Sequence, residues 1–147
     1  MNKHLNTEKD PLTGLLTRKA FLEELHRLLA KAKSKNQESA LSVALLDVDH
    51  FMKINEEYGH AGGDQALIAI ADAIRQIGGE EAVAARYGGD EFALILPAME
   101  REGAFLRLEQ VRETLSRSQA DMPDRRTIPG ISTSGGVATF PVDGRSE

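Results

Sequence analysis

The chain has 147 residues, 41% of them hydrophobic and 28% charged, with a formal net charge of -5 and no cysteine. That length suits one domain with a sizeable core, the acidic balance excludes a broad electrostatic grip on a nucleic acid polymer, and the lack of cysteine excludes disulfides, thiolate nucleophiles and cysteine-bound zinc. Met1 to Asp10 is polar, without an apolar signal core, and no apolar run approaches the roughly 20 residues that span a bilayer, so a soluble, cytoplasmic chain without membrane contact is expected.

The chain begins with a turn-rich segment, Asp10-Pro11-Leu12-Thr13-Gly14-Leu15-Leu16-Thr17-Arg18. Pro11 and Gly14 punctuate it, and Thr17 suits the N-cap of a helix from about Arg18 to Lys35. Phe21, Leu22, Leu25, Leu28 and Leu29 form the apolar stripe of that helix. A polar break over Ser34 to Ser39 precedes a buried strand, Ala40 to Leu46, which runs into Asp47-Val48-Asp49. Alternation puts Asp47 and Asp49 on one side at the C-terminal end of that strand, where α/β sheets often place their chemistry. Phe51 to Tyr58 reads as a short helix or turn. Gly59-His60-Ala61-Gly62-Gly63-Asp64 reads as a loop whose last residue caps the next helix. Leu67, Ile70, Ala71, Ile74 and Ile77 line that helix, and Gly78-Gly79 stops it.

A hairpin spans Ala82 to Pro97, with Gly88-Gly89 as a two-residue turn demanding positive φ. Phe92, Leu94 and Leu96 alternate with Ala93 and Ile95, so both faces are apolar and the strand is interior. A third helix over about Arg101 to Ser118 carries Ala104, Leu108, Val111 and Leu115. A loop from Asp121 to Gly130, a last strand from Ile131 to Phe140 weakened by Gly135-Gly136, and a polar tail from Pro141 to Glu147 complete the chain. After the first helix the order is β-α-β-β-α-β, a ferredoxin-like α/β (α+β) fold with a mainly antiparallel sheet.

Chemistry concentrates in Arg86-Tyr87-Gly88-Gly89-Asp90-Glu91-Phe92. Adjacent acids beside two glycines are unfavourable in a hairpin, and the glycines let a large ligand approach the backbone. If the strands are neighbours, Asp90 converges with Asp47. Paired carboxylates suit Mg²⁺, which typically binds one or two of them together with substrate phosphates. Taken singly, each acid also fits an ordinary turn or strand end.

The hairpin segment resembles the signature of the GGDEF family, the diguanylate cyclases. So do Asp10 to Arg18, with Thr17 where Asn is usual, then Asp47-Val48-Asp49-His50-Phe51-Met52-Lys53-Ile54-Asn55, and Gly59 to Asp64. The resemblance runs from Asp10 to about Pro141 and marks the chain as a single such domain. It implies the nucleotidyl cyclase palm fold and condensation of two GTP into cyclic di-GMP with release of two pyrophosphates. It implies Mg²⁺ (or Mn²⁺) on Asp47, Asp90 and the Val48 carbonyl, and a phosphate cradle of amides near His50, Phe51 and Met52. Asn55 and Asp64 would read guanine, with His60 shaping that side. Gly88 and Gly89 would admit the nucleotide, and Asp90 or Glu91 would help deprotonate the attacking 3′-hydroxyl. Two facing copies would be needed, with a sensor domain elsewhere in the full-length protein.

Three departures accompany the resemblance. Met52 stands where Lys is usual; the sequence ends at Glu147, without the C-terminal helix whose Lys and Arg reach the triphosphate; and Gly79-Glu80-Glu81-Ala82 replaces the Arg-x-x-Asp product-inhibition motif, so tight cyclic di-GMP binding is not expected there. Two other readings stand beside catalysis: a degenerate domain acting as a GTP-binding regulatory or interaction module, and another palm-type transferase such as an adenylate cyclase.

Overall fold

A computed structural model describes residues 7–34, 40–121 and 126–140. In chain order these form α1 (Arg18–Ser34), β1 (Leu41–Val48), α2 (Phe51–Gly78), β2 (Val83–Arg86), β3 (Glu91–Pro97), α3 (Arg101–Arg117), β4 (Gln119–Asp121), β5 (Thr127–Pro129) and β6 (Thr133–Phe140). The main sheet has four strands in the order β2-β3-β1-β6, and every neighbouring pair is antiparallel. With α2 and α3 as the crossovers, this is the expected β-α-β-β-α-β arrangement behind an N-terminal helix.

The two sheet faces follow from strand alternation. Ala44, Leu46 and Val48 of β1 join Phe92, Leu94 and Leu96 of β3 in a core with Leu67, Ile70 and Ile74 of α2 and Leu108, Val111 and Leu115 of α3. On the other face Leu41, Ala93 and Ile95 pack under Phe21 of α1, with Leu25, Leu28 and Leu29 around them. β3 is therefore interior and covered on both sides. Leu22, expected in the α1 stripe, is instead 40% exposed. Thr17 caps α1 as anticipated, its hydroxyl accepting the Ala20 N–H at 3.3 Å.

The cover of α1 ends before the C-terminal end of β1. Leu45 is 48% exposed there and Asp47 is exposed beside it, so among the described residues no helix covers that end of the sheet.

Three local expectations are corrected. Gly59 to Asp64 is a shorter break than expected: two helical limbs of α2 meet at Gly59, whose φ 78 and ψ 173 are not helical, and residues 60–64 already belong to the second limb. A single glycine absorbs the bend because it lacks a Cβ, so Asp64 lies inside the helix and does not cap it. The hairpin does not close on a two-residue turn either. Tyr87 N–H donates to the Glu91 carbonyl at 2.7 Å and Gly88 N–H to the same oxygen at 3.2 Å, which leaves Gly88, Gly89 and Asp90 in the connection. Neither Gly88 nor Gly89 has positive φ. Lastly, the Asp121–Gly130 stretch is framed by the short β4–β5 ladder, Gln119 pairing with Pro129 and Asp121 with Thr127. The polar tail and the break after α1 lie outside the described residues.

Candidate functional site

The C-terminal end of β1 gathers the acids. Cross-strand register sets Asp47 opposite Glu91 on β3 and opposite Ser134 on β6. These residues, with Leu45, Tyr87, Gly135 and Gly136, line a groove of about 300 Å³. Asp90 sits at the hairpin end, and its carbonyl accepts the Val48 N–H at 3.1 Å. The structure therefore brings Asp47, Val48, Asp90 and Glu91 together. Among the described residues no three His, Cys, Asp or Glu side chains form a metal cluster. Two carboxylates and a carbonyl fit a hard cation that draws its remaining oxygens from phosphates and water, as Mg²⁺ does.

The glycines of the hairpin serve space rather than turn geometry. A Cβ on Gly88 would overlap Glu91 Oε1, whereas one on Gly89 would meet nothing within 4 Å. Gly88 thus makes room for the Glu91 side chain, and Gly89 leaves the hairpin surface open to a ligand.

Next along the chain, His50 adopts the left-handed conformation (φ 57, ψ 37) and α2 begins without a side-chain cap and without an acid in its first turn. The Lys53 and Ile54 amides both turn back to the His50 carbonyl, at 3.0 and 3.1 Å. Amides ahead of the first helical bond have no intrahelical partner, and the helix dipole makes that end electropositive. The segment at His50, Phe51 and Met52 thus presents amides without an intrahelical partner at the electropositive end of the helix, chemistry that could hold an anion. Met52 is 74% exposed there.

The bend at Gly59 folds the two limbs of α2 together. Gly63 is buried, and a Cβ on it would overlap Asn55 Oδ1 and come within 3.2 Å of Phe51 Cζ. Asn55 is therefore seated against the residue preceding Asp64. His60 and Asp64 are both exposed. The resemblance gave Asn55, His60 and Asp64 a shared role; the structure packs Asn55 and Phe51 of the first limb against Gly63 of the second.

Two supports of the site were not assigned in the sequence. Arg86 donates to the Gly89 carbonyl from Nη2 at 2.8 Å and from Nε at 3.2 Å, while its Nη1 reaches Asp10 Oδ1 at 3.3 Å. Asp10 Oδ2 accepts the Thr13 N–H at 2.9 Å and the Thr13 hydroxyl at 2.8 Å. Burial pushes the Asp10 carboxyl up, but the Thr13 bonds and Arg86 outweigh it and hold the group below its ordinary value. The second support is Asp49. It lies past the end of β1, so strand alternation no longer governs it. Its carboxylate accepts the Ser132 hydroxyl at 2.6 Å and the Ser134 hydroxyl at 2.7 Å. Those two bonds, Ser132 first, hold its carboxyl below the usual range. The only sequence hint was the Asp47-Val48-Asp49 spacing; the serines stand 83 and 85 positions away.

Comparison with known proteins shows the family and the fold. A family model described as "Diguanylate cyclase, GGDEF domain" matches residues 7–147. Diguanylate cyclase DgcP of Pseudomonas aeruginosa is 38% identical over 107 residues, which cover 73% of this chain and 16% of DgcP. The cyclic di-GMP phosphodiesterase NbdA of the same organism is 33% identical over 135 residues, covering 92% of this chain and 17% of NbdA. The chain thus spans about a sixth of either relative. Among solved structures, the GGDEF domain of DgcB from Caulobacter crescentus, in complex with c-di-GMP, superposes with a TM-score of 0.86 at 33% identity, covering 99% of this chain and 81% of that one.

Proposed function

Since the chain belongs to the GGDEF, or diguanylate cyclase, domain family, we propose that it condenses two GTP molecules into cyclic di-GMP and two pyrophosphates. The observation that carries this reading is the juxtaposition of Asp47, Val48, Asp90 and Glu91 beside an uncapped helix N-terminus. Carboxylates for a cation and free amides for phosphates meet at one end of one sheet, as nucleotidyl transfer requires.

In each half-reaction the 3′-oxygen of one GTP attacks the α-phosphorus of the other. A new P–O bond forms, the bond to the β-phosphate oxygen breaks, and pyrophosphate leaves. Asp47, Asp90 and the Val48 carbonyl would hold Mg²⁺ or Mn²⁺, which when bound supplies charge neutralisation at the phosphates. The His50, Phe51 and Met52 amides orient the phosphate chain. A carboxylate committed to a cation is a weak base, so Asp90 suits metal binding and Glu91, opposite Asp47 and free in the groove, suits receiving the hydroxyl proton. Asn55 and Asp64 read the base: a carboxylate accepts from both N1–H and N2–H₂ of guanine, an edge adenine lacks. Polar groups left unpaired by the wrong base give the discrimination. Gly88 and Gly89 keep the hairpin surface low, and His60 borders the base.

Incubation of the purified domain, at high concentration or fused to a dimeriser, with GTP and Mg²⁺ tests the reading. Cyclic di-GMP and pyrophosphate in a 1:2 ratio are expected. Asp47→Asn and Asp90→Asn should each lose more than about a hundredfold in rate, on the order of removing one group that meets the transition state, with thermal stability unchanged. GTP binding without turnover would favour the second reading, a GTP-binding regulatory module; the observation on its side is Met52, which puts no charge at the phosphate cradle. ATP turnover in place of GTP would overturn both.

A further inference from the structure

We propose that Asp49 is a positioning residue for the triphosphate, fixing through Ser132 and Ser134 the turn that carries the Val48 carbonyl and the free amides of α2. This rests on the cyclase reading above. Asp49 stands between the carbonyl assigned to the cation and the amides assigned to the phosphates. It makes three bonds to the strand side: its N–H to the Ser132 carbonyl at 2.9 Å, and its carboxylate oxygens to the hydroxyls of Ser132 and Ser134 at 2.6 and 2.7 Å. Hydroxyl-to-carboxylate bonds of that length are the charge-assisted, geometrically strict kind.

The far side of the clasp is itself held. Thr133, between the two serines, pairs with Val48 in the β1–β6 ladder, and its carbonyl accepts Arg112 Nε from α3 at 2.9 Å. The clasp therefore refers the turn to the sheet and to α3, not merely to another loop.

The orientation of Asp49 matters as well as its grip. An aspartate just ahead of a helix ordinarily turns its carboxylate onto the first-turn amides. Here α2 has no side-chain cap, and the carboxylate is engaged instead by Ser132, just before β6, and Ser134 within it. The amides stay free for an anionic ligand. His50, next in the chain, sits in a left-handed conformation that a residue with a Cβ keeps only when its surroundings impose it; the clasp on one side and the helix bonds to its carbonyl on the other do so.

Binding of GTP and of GMP, each with Mg²⁺, is measured by displacement of a fluorescent guanine nucleotide from the domain and its variants. Asp49→Ala, and the pair Ser132→Ala with Ser134→Ala, should each weaken GTP about tenfold, the order expected for losing charged hydrogen bonds. The triple variant should be no worse than Asp49→Ala, since all remove one clasp. GMP affinity should stay within about twofold in every case, because the guanine side is untouched. Asp49→Asn should stay within about threefold of wild type for GTP, as an amide accepts from one serine and donates to the other. Equal losses in Asp49→Asn and Asp49→Ala would show that the charge acts directly and overturn the proposal. So would GMP falling in step with GTP, or GTP affinity unchanged in Asp49→Ala. If Asp49→Ala does not fold, the serine pair and Asp49→Asn decide alone. A wild-type domain that does not prefer GTP to GMP overturns the cyclase reading itself, and this proposal with it.

Discussion

Met52 leaves 74% of its surface in water at the second position of α2, beside the amides assigned to phosphate. An exposed thioether neither packs nor neutralises, so its replacement by Lys should leave stability unchanged. An exposed ammonium near a triphosphate is worth about 1 kcal/mol after solvent screening. Met52→Lys is therefore expected to lower the KM for GTP about fivefold, with circular-dichroism melting unaltered; an unchanged KM would place the phosphates elsewhere. Gly63 carries the complementary test on the base side. A methyl there would overlap Asn55 Oδ1, the far end of a side chain that can swing away. Gly63→Ala should fold, yet lose at least tenfold in kcat/KM for GTP; an unchanged value would take Asn55 off the base. The acids and the hairpin glycines were legible in sequence because their spacing is local. Glycine's purpose was not: Gly88 and Gly63 serve close packing, which depends on what the rest of the fold brings near.

The hairpin between β2 and β3 is tied to the N-terminal turn by more than its own ladder. Leu16 N–H donates to the Ala84 carbonyl at 3.1 Å, Arg86 N–H donates to the Leu16 carbonyl at 3.0 Å, and Arg18 lies 4.7 Å over the Tyr87 ring. The Asp10–Arg86–Gly89 chain joins the same two elements. Asp10 has a lowered folded-state pKa. The unfolded chain then binds the proton more readily, so Asp10 contributes stability that is fully present above the ordinary value near 4 and is lost as pH falls through the lower folded value. Asp10→Asn should reduce the melting temperature at pH 7 and flatten its decline below about pH 4 relative to wild type. An unchanged acid limb would remove Asp10 from that role. β1, β3 and α3 were readable as elements because both-face or one-stripe apolar patterns leave few alternatives. The confinement of the break in α2 to Gly59 was not, since a glycine-rich run reads equally as loop or as tight helix contact. β4 and β5, at three residues each, are too short to carry a pattern.

At the scale of the molecule, the sheet order β2-β3-β1-β6 sets β1 at the centre with β3 and β6 on either side, so Asp47 has an acid on one flank and Ser134 on the other. The topology was legible because element order and handedness prune the arrangements to a few. The clasp of Asp49 on Ser132 and Ser134 was not, since it joins sequence-distant strands through side chains no local pattern selects. On the proposed reading, one such site supplies one set of amides and one set of acids for one GTP, whereas the ring product needs two. Catalysis by facing copies should make the initial rate rise with the square of domain concentration while most domains are single, and become linear once a dimeriser is fused. Mixing sharpens the test. With Asp90→Asn in large excess, most wild-type domains face an inactive copy that holds GTP but forms no bond. Each such pair makes one of the two phosphodiester bonds, so a linear guanosine dinucleotide triphosphate should accumulate at the expense of cyclic di-GMP. A rate linear in concentration at every dilution, with cyclic product undiminished in the mixture, would mean that a single copy closes the ring.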